Sequence, residues 1–125
     1  MCPSLTRNEN SVPARKSHVY IFVRRDLPPS QIVVQASHAA FEAASLRTPD
    51  LDHPHFVLLG FKNQRELERA LNRVQSSGFQ VRPFYEADRE NELTAFATQP
   101  IFEPQRSFFR RYNCLSDELL FSGFL

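Results

Sequence analysis

His18 to Val23 reads H-V-Y-I-F-V, a run with apolar side chains at both parities of a β-strand. Such a run is stable only where both faces of a sheet are covered. A second run of the same kind, H-F-V-L-L-G-F, spans His55 to Phe61. Between them lies an alanine-rich stretch from about Ser30 to Leu46. There Ile32, Val33, Ala36, Ala39, Ala40 and Ala43 recur at helical spacing, and the alanines allow close approach to a sheet. Pro28 and Pro29 break the chain before this helix, and Ser30 stands where a capping hydroxyl is expected. Strand, helix, strand in this order calls for a right-handed crossover and parallel pairing.

The remainder extends the pattern. Asn63 and Glu66 form an approximate capping box, and Leu67, Ala70, Leu71 and Val74 follow at helical spacing until Gly78 supplies the stop. Phe79 to Tyr85 predicts a third strand, with Pro83 pointing to an edge position or an early end. An acidic turn from Glu86 to Glu92 leads to a fourth strand, Leu93 to Thr98. Pro104 to Tyr112 then predicts a short helix with Phe108, Phe109 and Tyr112 on one side and Arg106, Arg110 and Arg111 for charge. The expectation is a single α/β domain over 18–112, with a four-stranded, mixed but largely parallel sheet and helices on both faces. Residues 1–17 read as a flexible polar arm. Residues 113–125 read as an apolar extension that packs on its own domain or, as a homodimer contact, on a second copy.

Composition removes several function classes. A formal net charge of +1 excludes a globally basic protein, so any nucleic-acid surface must be a local patch. Cys2 and Cys114, near opposite ends, imply neither a disulfide framework nor a paired-cysteine zinc motif; a reduced, cytoplasmic setting is expected. No apolar run reaches membrane-spanning length, and the first segment lacks the apolar core of a secretory signal, so no membrane partner is expected. His18, His53 and His55 are not at helical ligand spacing, and no metal is expected. With three glycines there is no phosphate-cradling loop, and no nucleophile elbow is present; no cofactor is expected.

Three polar constellations remain. Gln31, Gln35, His38 and Glu42 fall at i, i+4, i+7 and i+11 of the first helix, on one stripe. The side chains of Gln35 and His38 offer donors and acceptors near neutral pH, although a solvated helix face is the plainer reading of the spacing. Arg24, Arg25 and Asp26 stand at the exit of the first strand. A guanidinium there suits phosphate, with the carboxylate to orient it; the plainer reading is a local salt bridge. Glu86, Asp88 and Glu90 beside Arg89 offer a carboxylate for general-base work, or an ordinary charged hairpin.

The motif residues resemble those of the type II peptidyl-tRNA hydrolase family. That family opens on a strand ending V-R-x-D-L, as Val23, Arg24, Arg25, Asp26 and Leu27 do here. It continues into a helix bearing A-Q-x-x-H-A, matched by Val34, Gln35, Ala36, Ser37, His38 and Ala39 apart from the first alanine. Its fourth strand reads T-V-L-G-I-G-P, and Thr94 to Pro100 stand in that place. The likeness covers roughly 18–112. The chain departs from the family in two segments. A G-K-G-K stretch before the helix is replaced by Pro29, Ser30 and Gln31, with Gln31 at the last lysine, and the T-Q-I-A-P-G loop before the fourth strand is missing. A glutamine supplies a dipole where lysine supplies a full charge.

The resemblance implies hydrolysis of the ester joining a peptide to tRNA, with water as the attacking species. On that footing Arg24, Asp26 and Gln31 bind substrate, with Arg24 holding phosphate or the tRNA end. Gln35 and His38 orient substrate or water, Glu86 or Asp88 is the base, and Thr94 is a positioning hydroxyl. The alternative is a catalytically degenerate binding module for RNA, a nucleotide or a protein partner on the same scaffold. A third reading is a hydrolase of another small substrate that uses Asp88 and His38.

Overall fold

A computed structural model describes residues 16–48 and 53–116. The two apolar runs form β1 (His18–Arg24) and β2 (His55–Phe61), paired in parallel and in register from His18 opposite His55 to Arg24 opposite Phe61. The first helix, α1 (Pro29–Ala43), makes the crossover between them and ends in a 3-10 turn, Ala44–Leu46. The second helix, α2 (Gln64–Ser76), leads to β3 (Val81–Glu86), and a tight turn returns the chain as β4 (Glu92–Thr98). The sheet order is β2-β1-β4-β3.

The sheet is mixed, as expected, but its parallel share is smaller than the sequence suggested. Only β1 with β2 is parallel; β4 lies antiparallel to both β1 and β3. The reason is the connection. The turn from β3 to β4 is too short for a crossover, so the two must form a hairpin, and β4 then inserts beside β1 in the reverse sense. Pro83 sits on β3, the outer strand of that hairpin, where a missing N–H is tolerated.

Helices cover both faces. On one face α1 sets Ala36, Ala39 and Ala43 against Ala95 and Ala97 of β4, small side chain on small, with Ile21 and Val23 of β1 in the same cluster. On the other, Leu67, Ala70, Leu71 and Val74 of α2 pack on Tyr20, Phe22, Leu59 and Phe96. A short 3-10 helix, Gln105–Arg111, closes this second layer with Phe109, whose ring stacks on Tyr20 at 4.2 Å. The segment predicted as a helix from Pro104 to Tyr112 thus takes the tighter form.

Local signals explain the helix ends unevenly. Asn63 caps α2, accepting from the Glu66 N–H at 3.0 Å. Gly78 closes it at φ +96°; its N–H donates to Gln75 O and that of Phe79 donates to Val74 O, the Schellman pattern. Ser30 does not cap α1. The cap position is Pro28, with Pro29 as the first helical residue, so the preset φ of proline starts this helix and no side chain bonds its end. Val33, expected on the buried face, is 58% exposed. No helix among the described residues is long and apolar enough to cross a membrane.

Candidate functional site

The polar centre of the fold starts from an irregularity in β4. Residues of a regular strand alternate between faces. Here Leu93 and Phe96, three apart, both belong to the α2 layer, while Ala95 and Ala97 belong to the α1 layer. The break is a β-bulge. Phe84 pairs with Ala95, Tyr85 pairs with Leu93, and Thr94 between them has no partner in the ladder. The extra residue turns the Thr94 hydroxyl toward α1.

There it meets Gln35, which is fully buried although it lies on the predicted polar stripe. Thr94 Oγ1 donates to Gln35 Oε1 at 2.6 Å. Gln35 Nε2 donates to Glu86 Oε1 at 3.0 Å and to Gln31 Oε1 at 3.3 Å. A carboxylate only accepts, so the amide nitrogen must face Glu86 and the amide oxygen must face Thr94. The result is a directed series from the buried sheet, through the helix, to a half-buried carboxylate at the end of β3. Of the two acids the sequence offered, Glu86 is in this series. Asp88 stands exposed on the 3-10 turn Ala87–Arg89 and makes no bond to it. Glu90 and Asn91, both at positive φ near 60°, complete the turn.

His38 is one helical turn beyond Gln35 and exposed. Its ring lies flat on Phe84 of β3, centroids 4.3 Å apart and planes within 2°. No hydrogen bond joins it to Gln35 or Glu86. It flanks the series instead of belonging to it.

Arg24 forms a separate group. Strand alternation sends it out on the side of Tyr20 and Phe22, away from the α1 layer. Its Nε and Nη2 donate to the two oxygens of Asp26, each at 2.9 Å, a bidentate pair. Its Nη1 donates to Glu92 Oε1 at 2.9 Å and to Leu93 O at 3.4 Å. The Asp26 carboxylate, first among several causes, holds the guanidinium further into its charged form. Arg24 in turn holds the Glu92 carboxyl below its ordinary pKa. The single positive charge is thus set between two carboxylates, with the guanidinium buried and both acids half exposed. The two groups adjoin at the Glu86–Glu92 pair of the β3–β4 hairpin.

The structure therefore brings together Gln31, Gln35, Thr94 and Glu86. It places Arg24 and Asp26 in a neighbouring ion-pair cluster, His38 against Phe84, and Asp88 in solvent. Glu92 is the residue the sequence reading passed over; it lay unremarked at the end of the acidic turn. The bulge did leave a trace, since two large apolar residues three apart in a strand cannot both be buried on one face without it. Of the histidines, His18 and His55 stack on adjacent strands at 5.1 Å, and burial, then Arg106 and His55, push the His18 pKa down. Among the described residues no three His, Cys, Asp or Glu side chains gather as metal ligands would. Neither a scan against protein-family models nor a search of curated proteins finds a match for this chain.

Proposed function

We propose that the domain hydrolyses the ester between a peptide and tRNA, with Glu86 as the general base. The observation that carries this reading is the Thr94–Gln35–Glu86 series. Three residues picked out by motif position, from three different elements, are joined by hydrogen bonds of 2.6 and 3.0 Å. One oxygen of Glu86 is held by the Gln35 amide, and on this reading the other takes the proton of the attacking water. A water bound there attacks the ester carbonyl carbon and gives its proton to Glu86. Collapse of the tetrahedral intermediate breaks the bond to the ribose oxygen, which takes that proton back as the hydroxyl of free tRNA. His38, flat on Phe84, offers an imidazole beside the base for substrate contact. A base and a fixed orienting group are what water attack requires; no side-chain nucleophile is needed.

The test is release of free tRNA from an N-acylated aminoacyl-tRNA by the full chain. Glu86→Gln keeps the shape and the acceptor for Gln35 but removes the base; kcat falls by about 100-fold or more. Asp88→Ala stays near the parent rate. Full activity in Glu86→Gln would overturn the assignment.

One observation favours the second reading, a non-catalytic module. Arg24 is neutralised by Asp26 and Glu92, so the charge expected to meet phosphate is already matched. On that reading the ligand is a protein partner and not a phosphate held by Arg24, and the full chain releases no tRNA in the same assay.

A further inference from the structure

The ionic side chains of the fold are sorted by place. Asp26, Glu86, Asp88, Glu90 and Glu92 gather at the β3–β4 hairpin, against the guanidiniums of Arg24 and Arg89. The balance reverses where the 3-10 helix Gln105–Arg111 meets the end of α2. Phe108 marks the junction, its ring 5.2 Å from that of Phe79, which follows the stop at Gly78. Arg73 in the last turn of α2, and Arg110 and Arg111 in the 3-10 helix, are exposed and form no ion pair among the described residues. The acids nearest in sequence are held by other cations, Glu66 by Arg69 at 3.4 Å and Glu103 by Arg106 at 3.9 Å. The Arg111 guanidinium lies over the Phe108 ring at 4.2 Å, and its Nε donates to Phe108 O at 2.9 Å. This fixes the side chain and leaves its terminal nitrogens as donors. Tyr112 Oη is buried and has no hydrogen-bond partner among the described residues. Burial pushes its pKa up, while Arg111 and Arg73 pull it down, so both guanidiniums are close enough to be felt at this hydroxyl. The group is rich in donors and short of an acceptor.

We propose that Arg73, Arg110 and Arg111 form a surface for the phosphate backbone of RNA. This rests on the tRNA reading of the hydrolytic site and supplies the cation which that reading lacks, since Arg24 is already held by Asp26 and Glu92. A guanidinium fork matches a phosphate, and the Tyr112 hydroxyl, which keeps its proton, is a further donor beside the arginines. Residues three apart in a 3-10 helix share a side, so Arg111 stands with Phe108 near Arg73, and Arg110 points about 120° away. Positive charge set in two directions suits successive phosphates of one strand better than a single small anion. The acidic hairpin repels phosphate and the arginines draw it, so the same sorting of charge orients a long RNA with its backbone on this surface.

Binding of deacylated tRNA to the full chain, followed by fluorescence anisotropy at several salt concentrations, tests this. Arg110→Gln with Arg111→Gln is expected to weaken binding at least about ten-fold and to make the slope of log affinity against log salt shallower by about one to two. Arg110→Lys with Arg111→Lys keeps both charges and is expected to recover the salt slope. Arg73→Gln, which leaves the Arg111 contact with Phe108 in place, is expected to weaken binding about three-fold, so the test stands even where Arg111→Gln disturbs the fold. Arg65→Gln with Arg82→Gln removes the same charge elsewhere and is expected to stay within about two-fold of the parent. Glu86→Gln is expected to bind as the parent does. Binding and hydrolysis are thereby read apart: tRNA that is held by the arginines and not turned over sinks the hydrolytic assignment alone. Three results would overturn the proposal. One is no tRNA binding by the parent chain. Another is unchanged affinity and salt slope in both the Arg110→Gln, Arg111→Gln protein and Arg73→Gln. The third is an equal loss on changing Arg65 and Arg82, which would assign binding to net charge.

Discussion

Arg24 shows how burial changes the role of a charged residue. At a strand exit in solvent it would be a ready phosphate ligand. Held by Asp26 and Glu92 it is a structural cation, and removing it leaves two carboxylates without their partner. Arg24→Met is expected to lower Tm by about 5 °C in thermal unfolding followed by circular dichroism. The same cluster sets a pH dependence. The Glu92 carboxyl titrates lower in the folded protein than in the unfolded chain. Its contribution is therefore complete above the ordinary carboxylate pKa of about 4.3 and disappears as pH falls through the depressed folded value. The denaturant midpoint is expected to drop between about pH 5 and pH 3, and Glu92→Gln to flatten that drop. Gln35 is the opposite case, a neutral group that must be satisfied where it is buried. Thr94→Val leaves its Oε1 without a donor, at a cost of about 1–3 kcal/mol in denaturant unfolding, and, on the proposed function, is expected to lower turnover by loosening Glu86. Thr94→Ser, which keeps the hydroxyl, is expected to restore both.

Among the elements, α2 is specified by its own sequence and α1 is not. An Asn cap, a clean apolar face and a left-handed glycine define α2 locally. Gly78→Ala meets no neighbouring atom, so its cost is conformational alone, about 1 kcal/mol, and Asn63→Ala costs a similar amount for the lost cap. Both are read from denaturant midpoints. For α1 the caps are absent, and the helix exists because alanines let it settle on the sheet. The bulge in β4 belongs to the same scale. One unpaired residue moves a hydroxyl from one layer to the other, and the candidate site depends on that shift.

Over the whole molecule, the two layers are unequal. The α2 side is aromatic, with Phe22 stacked on Phe96 at 4.1 Å and met edge-on by Phe109 and Tyr112. Phe22→Ala is expected to cost about 3–5 kcal/mol in chemical denaturation, the range for a fully enclosed ring. Phe41, 80% exposed, makes the contrast: Phe41→Ala should change stability by no more than about 0.5 kcal/mol. The α1 side is thinly packed with alanine and carries the hydrogen-bonded series, because small side chains bring helix and sheet close enough for Gln35 to reach Thr94.

The sequence by itself determined the elements and their layers. Apolar runs at both strand parities demanded a sheet covered on two sides, and the caps, glycine and prolines placed most of the ends. It also named Gln35, Thr94 and Glu86 as candidates through motif position. What only the tertiary structure decided was direction and company: β4 inserted antiparallel beside β1, Arg24 turned toward Glu92, and Glu86 joined to Gln35 while Asp88 stands in solvent. These depend on contacts between residues far apart in the chain and on a one-residue slip in a strand, and local periodicity carries information about neither.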